Sequence, residues 1–168
     1  MDKINSINKI NQLNKSDFLT IFGNIFEKTE WIAENVFDLK PFKSFNDLHA
    51  QIIKEYENCE KNNILKILNA HPDLAVEEKL TEHSKSEQSG ANLNNCTREE
   101  FQEFKKLNTE YKKKFNFPFI IAVSGKNRIE ILEIFRKRIN NSIDKEFQEA
   151  KDQVKKIATI RLNNIIKY

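Results

Sequence analysis

Turn-forming residues are scarce in this chain, with three glycines and three prolines among 168 residues. Antiparallel sheets need a tight turn every few residues, and those turns lean on glycine and proline. So few of them point away from an all-β fold, and the expected class is all-α. Apolar residues recur at helical spacing. Phe18, Ile21, Phe22, Ile25 and Phe26 line one face of a helix expected over residues 15–28, with Asn14 or Ser16 as its cap. A short helix over 31–37 should end before Pro41. Leu48, Ile52, Ile53 and Tyr56 mark another over 46–59, and residues 64–68 form a helical run leading to His71. Thr97 and Glu100 match a capping box ahead of a long helix striped by Phe101, Phe104, Leu107 and Tyr111. Two more helices follow, one carrying Ile129, Leu132, Phe135 and Ile139, the other running from about Ser142 to the C-terminus. The expectation is a single-domain bundle of about eight helices over residues 15–168. A polar segment, 1–14, should precede it and fray. Residues 117–123 form a compact apolar run around Pro118, and periodicity leaves it open between a buried helical turn and an extended segment.

Composition narrows the function classes. The hydrophobic share of 39% and charged share of 32% fit a globular chain long enough to bury a core. A net charge of +3, spread along the sequence, gives no basic face for nucleic acid. No stretch approaches the roughly 20 apolar residues of a membrane span. The start lacks the continuous apolar core of a signal peptide, and the Ile165-Ile166-Lys167-Tyr168 end is not a Ser-Lys-Leu address. Cys59 and Cys96 stand apart, as thiols of a reducing compartment do, so the cytoplasm is the expected location. No HxxxH or HExxH pattern suggests a metal, and neither a phosphate-cradling glycine loop nor a GxSxG elbow is present.

Chemistry concentrates at His71-Pro72. Histidine changes charge near neutral pH, so it serves as acid or base with little tuning. Pro72 biases His71 away from helical backbone, which places the ring at an element end. A histidine there is often just a helix-dipole partner, or a partly buried ring that donates to a backbone carbonyl. Downstream, Ser84 and Glu87 match a second capping box, placing a carboxylate in a first helical turn. Local sequence alone favours that structural role for Glu87, though a capped helix start can also present groups to a ligand. Arg161 is a third candidate. It interrupts the apolar face formed by Phe147, Ala150, Val154, Ile157, Ala158 and Ile165. A guanidinium there forms a buried ion pair with a carboxylate of another helix or binds an anionic ligand. His49 and His83 read as surface or packing residues.

Several segments, taken in order, resemble the 2-oxo-4-hydroxy-4-carboxy-5-ureidoimidazoline (OHCU) decarboxylases. They are Phe26-Glu27-Lys28-Thr29-Glu30-Trp31-Ile32-Ala33, Ile67-Leu68-Asn69-Ala70-His71-Pro72-Asp73-Leu74-Ala75, and Leu80-Thr81-Glu82-His83-Ser84-Lys85-Ser86-Glu87-Gln88. Leu107-Asn108-Thr109-Glu110-Tyr111, Phe115-Asn116-Phe117-Pro118-Phe119-Ile120-Ile121-Ala122-Val123 and Arg161-Leu162 follow. The resemblance implies an all-helical homodimer that needs no cofactor or metal and forms (S)-allantoin and CO2. It puts the catalytic histidine on His71 and the catalytic glutamate on Glu87. Substrate contacts would come from Pro72, from Ser84, Lys85, Ser86, Glu87 and Gln88, from backbone at Phe119, Ile120, Ile121, Ala122 and Val123, and from Arg161. The connection from His71 to Ser84 is shorter than in many members, and Ser124 stands where many carry Arg or Lys. A non-catalytic helical interaction domain that retains the fold is the alternative.

Overall fold

Nine α-helices and one short 3-10 turn carry the described residues, 3–76 and 80–167, of the computed structural model. No β-strand occurs among them, so the all-α expectation holds. Part of the short connection after His71, residues 77–79, and the last residue of the expected final helix lie outside the described residues. No described helix is long and apolar enough to cross a membrane. The chain divides into two compact units, Met1–Ala70 with Lys155–Tyr168, and His71–Val154.

The first unit holds α1 (Ile7–Gln12), α2 (Lys15–Phe22), α3 (Glu30–Phe37), α4 (Phe45–Glu57), α5 (Lys61–Asn69) and the later part of α9 (Ile143–Ile165). Asn14 caps α2 by accepting from the Asp17 N–H at 2.9 Å, and Ser44 caps α4 from Asp47 at 3.1 Å. Those side chains satisfy amides that a helix start leaves without an internal partner. The polar start, expected to fray, carries α1 with Ile10 fully buried. Ile4 also pairs with the end of α9 through Ile4 N to Ile165 O at 2.8 Å and Lys167 N to Ile4 O at 2.9 Å. The core gathers around Phe18, whose ring lies 4.7 Å from Phe22 and 5.4 Å from Phe37.

One boundary differs from expectation. The helix expected over 15–28 stops at Phe22, and the chain turns through residues 23–29. A Cβ on Gly23 would lie 2.5 Å from the Leu19 carbonyl oxygen, so this close passage excludes a side chain. Ile25 and Phe26 are buried as the spacing suggested, but from turns. Burial created the helical pattern there without a helix beneath it.

The second unit holds α6 (Glu82–Gly90), the 3-10 turn Leu93–Asn95, α7 (Arg98–Phe115), α8 (Arg128–Arg138) and the early part of α9. The expected capping box opens α7, with Glu100 N to Thr97 Oγ1 at 3.2 Å and Thr97 N to Glu100 Oε2 at 2.9 Å. Asn127 and Glu130 form another at α8. At the far end of α7 the backbone enters the left-handed region at Asn116, φ +62°, which asparagine tolerates better than most residues. Residues 117–123 are then neither helix nor strand, and all are buried. Aromatic packing holds this run, with Phe119 stacked on Phe135 at 3.8 Å and meeting Tyr111 edge-on at 5.4 Å.

Candidate active site

His71 lies just beyond the Ala70 cap of α5, outside regular helix as Pro72 requires, and is buried. The three residues after Pro72 are gripped from two helices. Gln88 of α6 donates through Nε2 to the Asp73 carbonyl at 3.2 Å and accepts from the Ala75 N–H through Oε1 at 3.0 Å. Asn108 of α7 donates through Nδ2 to the Leu74 carbonyl at 3.0 Å. Lys112, a turn further along α7, reaches Asp73 Oδ2 at 2.6 Å. The course of the chain leaving His71-Pro72 is therefore fixed by named side chains.

Helix α6 begins one turn earlier than the Ser84–Glu87 pattern suggested. Its cap is Thr81, whose Oγ1 accepts from the Ser84 N–H at 3.3 Å. Ser84 is thus inside the helix, and the expected capping box at Ser84 and Glu87 does not form. The reason is local. Thr81 and Ser84 are both competent caps three residues apart, and choosing Thr81 adds a helical turn. The consequence reaches Glu87, which stands in the second turn, too far from the helix start to serve as a cap. The structural role that local sequence favoured for it is removed. Ser84, Glu87 and Gln88 share a helix face. Ser84 and Gln88 are buried and Glu87 half-buried, while Lys85 and Ser86 are exposed.

Residues 119–123 carry their backbone polar groups into the interior of the same unit, where each needs a partner. Two receive one from side chains: Ala122 N donates to Gln153 Oε1 at 2.9 Å, and the Ile120 carbonyl accepts from Arg138 Nη1 at 2.7 Å. Arg138 is itself anchored through Nε to Glu146 Oε1 at 2.7 Å, and its guanidinium carbon lies 4.4 Å from the Phe119 ring centroid. The same Glu146 oxygen accepts from Tyr111 Oη at 2.7 Å, and the other, Oε2, accepts from Asn141 Nδ2 at 2.9 Å. Burial, then the Glu146 carboxylate beside it, pushes the Tyr111 phenol well above its ordinary pKa. It remains a donor at any working pH, so the network behind the 119–123 run keeps one protonation state on that side.

Arg161 belongs to the first unit and is 1% exposed. Its Nη2 meets Glu27 Oε2 at 2.9 Å, and Nη1 donates to the Asn24 carbonyl at 3.0 Å. The buried ion pair foreseen as one alternative is present, but its carboxylate comes from the 23–29 turns and not from another helix. His71, Pro72, residues 84–88 and residues 119–123 fall together in the second unit. His49 makes a 3.3 Å contact from Nε2 to Thr159 Oγ1. Among the described residues no group of three or more His, Cys, Asp or Glu is placed to hold a metal ion.

Asn108, Gln153, Arg138 and Glu146 were not singled out from the sequence. Asn108 and Gln153 carried the signal that exposed Arg161, a polar residue within an apolar helix face. Asn108 sits among Phe104, Leu107 and Tyr111, and Gln153 among Ala150, Val154 and Ile157.

Comparison with known proteins places these features. A family model described as OHCU decarboxylase matches residues 11–163. The 2-oxo-4-hydroxy-4-carboxy-5-ureidoimidazoline decarboxylase of Haloferax volcanii is 33% identical over 94% of this chain and 94% of its own length. The uric acid degradation bifunctional protein of Bacillus sp. (strain TB-90) is 35% identical over 96% of this chain, which spans only 32% of that longer protein. Among solved structures, an (S)-allantoin synthase superposes with a TM-score of 0.76 and 25% identity, covering 96% of this chain and 54% of its own. The all-helical fold is thus that of a carboxy-lyase family. The chain belongs to the OHCU decarboxylase family.

Proposed function

We propose that this chain is a carboxy-lyase of urate degradation, converting 2-oxo-4-hydroxy-4-carboxy-5-ureidoimidazoline to (S)-allantoin and CO2, with His71 and Glu87 as its catalytic pair. The family match over residues 11–163 supports the activity. One structural observation supports the pair: Gln88, the neighbour of Glu87, is bonded to the backbone at Asp73 and Ala75, immediately after His71-Pro72.

The substrate supplies its own electron sink, since its carboxylate leaves from a carbon adjacent to a ring C=N. As the bond to CO2 breaks, its electron pair forms a C=C and the ring nitrogen takes up charge and a proton. The ring hydroxyl then surrenders its proton while the neighbouring ring carbon gains one on a single face, leaving C=O and the stereocentre. One proton is taken up net for each CO2 released. The protein's task is orientation, charge stabilisation and delivery of that proton to one face. His71 polarises the hydroxyl or shuttles its proton, and Glu87 orients ring or ureido N–H groups and assists the transfer. Pro72, residues 84–88 and backbone around Ile121 shape the pocket. For Arg161 the resemblance implies a substrate contact, which its sealed pairing with Glu27 leaves to a binding measurement.

The resemblance also carries a cytoplasmic homodimer. Sedimentation at twice the 19.8 kDa chain mass supports it, and a monomer at working concentration contradicts it. The activity is tested by the handedness of the product, because the substrate also decays unaided. Fresh substrate with the protein should give (S)-allantoin in excess, against slow racemic formation in the blank. Racemic product at the blank rate from folded protein would leave the interaction-domain alternative.

A further inference from the structure

We infer that Asn108 is a positioning residue for His71, acting through the Leu74 carbonyl; this rests on the catalytic reading of His71. The chain leaving His71-Pro72 turns sharply, because Ala75 is held at φ +53°, in the left-handed region that a residue bearing a Cβ seldom adopts. Such backbone persists only where its surroundings over-determine it. Here they do so with two buried carboxamides. Gln88 takes the Asp73 carbonyl and the Ala75 N–H, and Asn108 takes the Leu74 carbonyl between them.

Asn108 is not the residue that stability alone would select. It is 3% exposed on the stripe of Phe104, Leu107 and Tyr111, where an apolar side chain would be buried without losing hydration. Its Oδ1 is buried with no hydrogen-bond partner among the described residues, an arrangement that costs stability. What the carboxamide supplies is direction. It fixes where the Leu74 carbonyl points, and with it the path by which the chain presents His71. Local departures from stability rules of this kind collect at functional sites.

Two variants test the assignment beside wild type and His71→Asn. Asn108→Leu removes the donor at similar volume, and Ala75→Gly loosens the left-handed turn that the clamp holds. Misplacing a catalytic group by about 1 Å can cost about 10²-fold. Asn108→Leu is therefore expected to lower kcat by about tenfold or more, with KM changed by less than about twofold. Its kcat–pH profile should shift as the surroundings of His71 change, while the Leu74 carbonyl left without its donor lowers the melting temperature modestly. Ala75→Gly should lower kcat several-fold while melting stays level or rises, a split that a purely structural role does not give. Should Asn108→Leu fail to fold, Ala75→Gly decides. Wild-type kcat and pH profile in the variants, alongside an inactive His71→Asn, would overturn the positioning role and leave the catalytic reading intact. A loss confined to KM would overturn it too, making Asn108 a substrate contact. Wild-type turnover in His71→Asn would instead overturn the catalytic reading, and the positioning role with it.

Discussion

Arg161 and Glu27 form an ion pair sealed from solvent, 2.9 Å from Nη2 to Oε2, with side chains 2% and 1% exposed. Removing one partner strands the other charge, at a cost of about 3–5 kcal/mol, whereas replacing both by well-packed apolar groups is often close to neutral. Arg161→Met alone should thus lower the urea midpoint sharply, and Glu27→Leu with Arg161→Met should recover most of the loss. The stable double variant then isolates binding. If Arg161 also holds the substrate, its KM rises by about tenfold or more, about 1.4 kcal/mol. A KM equal to wild type confines Arg161 to the pair.

Glu87 and Thr81 should separate cleanly, since the cap of α6 is Thr81. Thr81→Ala loses a cap and should cost about 1 kcal/mol in a denaturation titration. Glu87→Gln keeps the shape of a half-buried helical side chain. Its melting temperature should match wild type while kcat falls by about 10²–10⁴-fold. Unchanged kinetics with unchanged melting would remove Glu87 from the mechanism.

His49 predicts an acid sensitivity. Burial, and secondarily the charge of Lys155, hold its imidazole below the ordinary value of 6.5. In the window between that lowered value and about pH 6.5 the unfolded chain binds more protons than the folded one, so stability rises with pH there. The contribution is complete above about pH 6.5 and is lost as pH falls through the folded value. His49→Gln removes the titration. Between about pH 7.5 and about pH 5 its urea midpoint should therefore fall less than that of wild type. Equal falls would mean that other groups set the acid limb.

Much of the fold was legible because apolar spacing and caps are local signals. The Thr97–Glu100 box and the stripe through Phe104, Leu107 and Tyr111 describe α7 almost completely. The failures have local causes as well. Ile25 and Phe26 keep helical spacing but are buried from turns, because Gly23 lets the chain leave α2. Ser84 looked like a cap because Glu87 follows it, but Thr81 stood one turn earlier. His71, Glu87 and residues 119–123 could be named from the sequence, and they fall in one compact unit. Their supports could not, because each bridges distant segments: Asn108 reaches back 34 residues to Leu74, and Tyr111 reaches forward 35 to Glu146. Spacing along one helix shows that a polar residue faces inward. It does not show which carbonyl that residue meets.

The catalytic assignment of His71 is decided by the initial rate of His71→Asn on fresh substrate, followed by product handedness with melting recorded alongside. The variant should fold as wild type does, lose about 10²–10⁴-fold in kcat, and leave product no more enantiomerically enriched than the blank. Near wild-type formation of (S)-allantoin by that variant would contradict the assignment.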